Sequence, residues 1–282
     1  MIDHKIHGRR PRLLLGAGVL ALSLLGACSS VNTTQSGAVG VDRQQYMSSL
    51  VSSQALQQEA DKQYADILAQ AKQKKLLDVD PQQVARVRTI AQRLIAQVGV
   101  FRPDAASWGW EVHVISSDEI NAWCMPGGKI AVYTGLLTQI KPTDDELAAV
   151  MGHEISHALR EHARERVSQQ MATSVGLSVL SVVTGSSAVS DLGGKLSDVM
   201  FTLPNSRTHE AEADRMGVEL AARAGYDPSA AISLWRKMAQ LSQGKEQPEI
   251  LSTHPSAESR IADLQAASQQ VMPLYQQAKA GK

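Results

Sequence analysis

Apolar positions recur every three to four residues over most of the chain, and that period predicts helices. One stripe runs Val84, Val87, Ile90, Ala91, Leu94, Ile95 and Val98 behind Asp80 and Pro81, and Gly99 and Pro103 mark its end. A second stripe, Leu147, Val150, Met151, Ile155, Ala158 and Leu159, lies in residues 144–170 behind a T-x-x-E capping box at Thr143 and Glu146. Residues 46–76 follow the same period through Leu50, Leu56, Tyr64 and Leu68, and residues 228–243 through Ile232, Leu234, Trp235 and Met238. Strand character is confined to 110–116, 121–125 and 130–134, the last two joined by a Pro126-Gly127-Gly128 turn. The expectation is a mostly helical α+β fold with a small antiparallel sheet beside the 144–170 helix. Residues 171–201 are Ser-, Gly- and Val-rich, with almost no charge before Asp191. They read as two loosely packed helices joined by Gly185-Ser186-Ser187, placed to act as a lid over a cleft.

The N-terminus reads as a targeting segment. Lys5, Arg9, Arg10 and Arg12 precede an apolar run over 13–25, which is short for a membrane span and ends in Leu25-Gly26-Ala27-Cys28. That ending resembles the bacterial lipobox. Residues 1–27 are then a signal peptide, Cys28 is the acylated first residue, and Ser29 points to outer-membrane sorting facing the periplasm. Ordinary cleavage leaving a free Cys28, or an uncleaved anchor, are the alternatives. Residues 28–45 are polar and Gly/Ser/Thr-rich and read as a flexible tether, with a single domain over 46–282. With two cysteines and one consumed by acylation, no disulfide is expected, and Cys124 reads as a small buried strand residue.

Composition narrows the function classes. At 282 residues and 43% hydrophobic content the chain can bury one sizeable core. Its formal net charge is +0, and no basic stretch lies outside the first residues, which argues against a nucleic-acid partner.

The chemistry concentrates in Gly152-His153-Glu154-Ile155-Ser156-His157, an H-E-x-x-H motif. At about 100° per residue the two imidazoles sit roughly 40° apart on one helix face, within reach of one zinc ion. Glu154, on the flank of that face, is suited to hold a zinc-bound water and take its proton. His162 would lie about 180° from His153 on an uninterrupted helix, and so reads as a surface histidine. In SRTHEAEADRMG, Glu210 and Asp214 share a face of a second helix. Glu210 can complete a His-His-Glu site and Asp214 can accept the free N–H of a ligating histidine. Glu212 reads as an acid that complements the helix dipole.

GHEISHALREH followed by HEAEADRMG resembles the M48 metallopeptidases, a gluzincin group with H-E-x-x-H and E-x-x-A-D. Asn121-Ala122-Trp123, 126–130, Gly135-Leu136-Leu137, Thr253-His254-Pro255 and Arg260 extend the resemblance over about 81–264. His209 departs from it. The resemblance implies a zincin-like domain with one Zn2+ per chain and extended or unfolded polypeptide substrates, misfolded or stalled envelope proteins among them. It implies that Asn121, Ala122 and Trp123 form an edge strand that pairs with substrate. It also places His254 over the metal, either as an oxyanion donor or as a plug on the fourth position, with Arg260 holding that loop. The other reading is a chaperone or assembly factor whose zinc is structural or capped. The oligomeric state is not legible.

Overall fold

The computed structural model describes residues 28–184, 192–241, 248–255 and 258–281, so the expected signal peptide lies outside the described residues. The chain enters through two short antiparallel strands, β1 (Cys28–Val31) and β2 (Gln45–Ser48). Residues 28–45 are therefore not the flexible tether their composition suggests. Thr34, Val39 and Val41 are buried, the Gln35 N–H donates to the Phe101 carbonyl, and the Val39 N–H donates to Glu219. Gly40, at φ 70°, lets the chain turn between the two buried valines. A few anchored groups outweigh a polar, Gly-rich composition.

Helix α1 (Ser53–Gln73) starts at Ser52, whose side chain accepts the Ala55 N–H. Helix α2 (Pro81–Ile95) starts at Asp80, and its buried face is Val84, Val87, Ile90, Ala91 and Leu94, as the period predicts. The sheet holds β3 (Glu111–Ile115), β4 (Ala122–Met125) and β5 (Lys129–Tyr133), in the order β3-β5-β4. β4 and β5 form the expected antiparallel hairpin, but β3 joins β5 in parallel, so the sheet is mixed. Ile130, Ala131 and Val132 of the middle strand are all buried, while β3, at one edge, buries only its Val114–Ile115 end. Alternation along a strand does not encode its direction.

The helical layer comprises α3 (Asp144–Leu159), α4 (His162–Thr184), α5 (Leu192–Phe201), α6 (Arg207–Arg223), α7 (Ala230–Leu241), the short α8 (Glu249–Thr253) and α9 (Glu258–Ala280). α3 is the central rod. It packs on β4, α6 and α7, and every residue from Glu146 to Ser156 is buried. A helix closed in on all sides must give each buried polar side chain a partner or a job. The two expected helices of 171–201 are present as the end of α4 and as α5. Their expected joint at Gly185-Ser186-Ser187 lies outside the described residues. Among the described residues, no helix is long and apolar enough to cross a membrane.

Candidate metal centre

Two helix starts and one close crossing assemble the site. The α3 capping box is complete: Thr143 accepts the Glu146 N–H, and the Glu146 carboxylate accepts the Thr143 N–H. α6 starts at Ser206, whose side chain accepts the His209 N–H. The helices cross at Gly152 and Gly217. A Cβ on Gly152 would stand 2.8 Å from the Gly217 carbonyl oxygen, and one on Gly217 would stand 2.8 Å from the His153 nitrogen. Only two glycines allow backbones this close. The crossing lies one helix turn or so from Asp214 and two from Glu210, so it sets both acids against the H-E-x-x-H face.

His153, His157, Glu210 and His254 converge, with one ligand atom from each lying within 4.8 Å of all the others. His153 Nε2 is 3.1 Å from His157 Nε2 and 3.5 Å from Glu210 Oε2, and His157 Nε2 is 3.4 Å from Glu210 Oε1. His254, immediately after α8, brings Nδ1 to 3.2 Å from His153 Nε2 and 3.0 Å from Glu210 Oε1. The far nitrogen of His153 meets Asp214 Oδ1 at 2.9 Å. Arg260 holds both acids: Nε and Nη2 each donate to Asp214 at 2.7 Å, and Nη1 lies 2.7 Å from Glu210 Oε2. Its guanidinium rests 3.9 Å above the Trp235 ring.

The electrostatics follow from that packing. Burial works to raise Glu210, but His254 and His153 hold it well below the usual carboxylate range, ionised and ready to ligate. Burial drives His157 well below the usual histidine range, which leaves it neutral, as a ligand must be. Burial also lowers His153, but Glu210 and Asp214 overcome it and carry the imidazole up to about 10, so a metal that binds His153 must displace its proton. Glu154 differs. Its Oε1 is buried without a hydrogen-bond partner, His254 Nε2 lies 3.5 Å away, and burial raises its pKa. Two imidazoles, a carboxylate and an adjoining partnerless carboxylate oxygen fit a hard-to-borderline divalent ion such as zinc.

The site opens into a cleft lined by Asn121, Ala122 and Trp123, by Glu154, His157 and His254, and by Val199 and Met200 of α5. In the order β3-β5-β4, strand β4 is the outer strand on the cleft side.

His162 is not a surface histidine. It is 1% exposed, with Nδ1 2.8 Å from His157 Nδ1 and Nε2 2.9 Å from Glu212 Oε2. The 180° argument assumed one continuous helix, whereas the helix stops at Arg160, and Glu161 takes φ 53°. That break turns His162 back toward His157. Glu212 is likewise buried, gripped by Arg160 and Arg43, and does more than complement a dipole. Sequence reasoning missed Arg43, Arg160 and Glu165 altogether. The only hint was a charged Arg-Glu-His run at 160–162 directly after an apolar helix. His209, the residue that breaks the family pattern, points to Glu165 at 3.1 Å and leaves the ligand position to Glu210.

Comparison with known proteins agrees with this geometry. The family model of peptidase family M48 matches residues 81–268. The mitochondrial metalloendopeptidase OMA1 of Arabidopsis thaliana is 37% identical over 175 residues, 61% of this chain and 35% of the relative. The corresponding Bos taurus protein is 36% identical over 214 residues, 72% of this chain and 40% of its own length. The beta-barrel assembly-enhancing protease of Escherichia coli is 30% identical over 211 residues, 70% of this chain and 41% of that protein. The chain thus spans well under half the length of these three relatives.

Proposed function

This chain belongs to peptidase family M48, and from that premise we propose that it is a zinc-dependent endopeptidase. The observation that carries the reading is the convergence of His153, His157 and Glu210 beside the partnerless Oε1 of Glu154. His153, His157 and Glu210 would hold the ion, with Asp214 fixing His153 and Arg260 fixing Asp214 and Glu210. When bound there, zinc supplies a Lewis acid that polarises a peptide carbonyl and acidifies a nearby water. Glu154, with a pKa raised by burial, takes the proton of that water and delivers it to the departing amine. The cleft-side strand Asn121-Ala122-Trp123 would present backbone groups to an extended substrate.

Substrates in this reading are misfolded or stalled envelope polypeptides. The Leu25-Gly26-Ala27-Cys28 lipobox supports an envelope lipoprotein, anchored through Cys28 and facing the periplasm, and the beta-barrel assembly in the name of the E. coli relative fits an envelope setting. His254 Nδ1 stands among the ligand atoms rather than out over the cleft, which favours a resting form in which His254 caps the fourth position. That same closure is the observation behind a second reading, an envelope chaperone or assembly factor with a permanently capped zinc.

Casein cleavage by the wild type and Glu154→Gln, with zinc content measured on both, separates the two. The enzyme reading expects cleavage by the wild type and a loss of about 10²–10⁴-fold in the variant with zinc retained. Equal activity in both sinks the mechanism. No activity in either, with zinc retained, favours the capped scaffold.

A further inference from the structure

Behind the ligand histidines lies a buried polar layer that the proposed chemistry does not use. Glu212 accepts from Arg160 and from Arg43, at 2.7–3.2 Å. Arg43 also forks onto both oxygens of Glu165 at 2.8 Å, and Glu165 meets His209, whose ring stacks on His162 at 4.3 Å and 16°. Arg160 is fully buried and held by Asn32, Thr34 and the Arg43 carbonyl. Gln45 closes the layer on the Arg160 carbonyl and Glu165. Four of these groups, Asn32, Thr34, Arg43 and Gln45, sit in chain order before residue 46, in the stretch whose composition suggested a tether. Arg43 and Gln45 turn their long side chains inward, toward the residues behind the metal centre.

We propose that His162 and Glu212 form a hydrogen-bonded relay that sets the tautomer and ring orientation of His157, and that Arg43, from the strap of residues 32–45, braces it. The proposal rests on the reading of His157 as a ligand through Nε2. A ligating Nε2 must offer its lone pair, so the proton of neutral His157 sits on Nδ1. The acceptor there, among the described residues, is Nδ1 of His162 at 2.8 Å. His162 must then carry its own proton on Nε2, which donates to Glu212 at 2.9 Å. Each link dictates the next, and the direction is fixed at the far end by a carboxylate that is already paired with two guanidinium groups. His153 gets the same service directly from Asp214. His157 gets it through one more ring, so its orientation depends on residues well over a hundred positions earlier in the chain. His162, Glu212 and Arg43 are positioning residues. The strap is then a working part of the metal centre.

The test uses the full chain and reads metal binding rather than activity. Zinc dissociation constants are measured by competition with a chromophoric chelator, and the visible spectrum of the cobalt-substituted protein reports ligand geometry. Arg43→Ala and Glu212→Gln should each weaken zinc about 10- to 100-fold, the range for loss of an outer partner of a ligand. Both should change the cobalt spectrum, and Arg43→Lys should recover part of the loss. Ser30→Ala, an exposed change on the neighbouring strand, should do neither. Arg43 is 31% exposed at its side chain, so its removal leaves a readable protein even if Glu212→Gln does not fold. Unchanged zinc affinity and cobalt spectrum in Arg43→Ala would overturn the relay while leaving the metal reading intact. A wild type that takes up no zinc would overturn the metal reading, and the relay with it.

Discussion

Replacing Gly217 by alanine tests whether the helix crossing, rather than the ligands themselves, sets the metal geometry. The new Cβ would lie 2.8 Å from the His153 nitrogen and 3.0 Å from the Gly152 carbonyl carbon and His153 Cα. Ordinary contact begins near 3.4 Å, so α6 must withdraw by about 0.6 Å. The obstructing atoms are backbone, and no side chain can rotate aside. Overpacking of this kind costs about 1–3 kcal/mol, offset by about 1 kcal/mol of better helix propensity. The net loss is about 0–2 kcal/mol, and the melting temperature falls by at most roughly 8 °C. The larger effect falls on the site. Metal–ligand distances tolerate about 0.2 Å, and Glu210 rides on the helix that moves. Zinc affinity should drop ten-fold or more, about 1.4 kcal/mol. A chelator-competition titration beside a thermal melt checks both, with Gly99→Ala as the control because nothing lies within 4 Å of its Cβ. A Gly217→Ala protein that melts lower but binds zinc like the wild type would refute the claim that the crossing sets the site.

His254→Ala should raise the initial rate of casein cleavage if the imidazole caps the resting site, with zinc still bound; a fall of two orders of magnitude would instead make it an oxyanion donor. Thr143→Ala removes the α3 cap and should cost about 1 kcal/mol in urea denaturation without changing zinc stoichiometry. A fall below about 0.3 kcal/mol would show that tertiary packing alone holds that end. Stability should also fall in acid. Burial raises Glu161 and Glu165, but Arg102 and Arg164 around the first and Arg43 beside the second pull both below the usual glutamate value of 4.5. A carboxylate lowered on folding stabilises fully above its unfolded pKa and loses that contribution as pH falls through the folded one. These two carboxylates should therefore make the urea midpoint decline as pH falls below about 4.5; a midpoint that stays flat from pH 4.5 down to pH 3 would contradict the pairing.

The parts of the site that could be read from the chain are those in which a single helix fixes the geometry. His153, Glu154 and His157 share α3, and Glu210 and Asp214 share α6, so helical spacing alone assigns their faces. What could not be read depends on where a helix ends. Glu161 adopts a left-handed conformation with neither glycine nor proline to announce it, and that one residue moves His162 from the far side of a helix to the side of His157. The strap fails for a related reason. Its stretch looks like a linker because polar and small residues dominate, yet Asn32, Thr34, Arg43 and Gln45 each satisfy a buried partner far along the chain. Pairing between distant polar groups leaves no local periodicity. Strand direction is lost likewise: β3 has the pattern of a strand, and nothing in that pattern says that it pairs in parallel with β5.

Two glutamates stand within the same few ångströms and are assigned opposite work by their neighbours. Glu210 faces His153, His157, His254 and Arg260, so it stays ionised through any ordinary pH and acts as a charged ligand. Glu154 is just as buried, but its Oε1 makes no hydrogen bond, with His254 Nε2 3.5 Å away, and its pKa rises instead. A carboxylate held too acidic would accept a proton from water poorly, and one held too basic would be protonated and could not accept it at all. The raised value therefore has to come from burial without a partner, and burial without a partner is costly in a folded core. That cost is met where the oxygen sits, in a cleft lining beside a cluster of ligand atoms, because a missing partner can be supplied there from outside the chain. Separation of the two pKa values thus comes from the balance between burial and the histidines: His254 and His153, with hydrogen bonds to His153 and His157, outweigh burial at Glu210, whereas burial outweighs the same rings and Arg260 at Glu154.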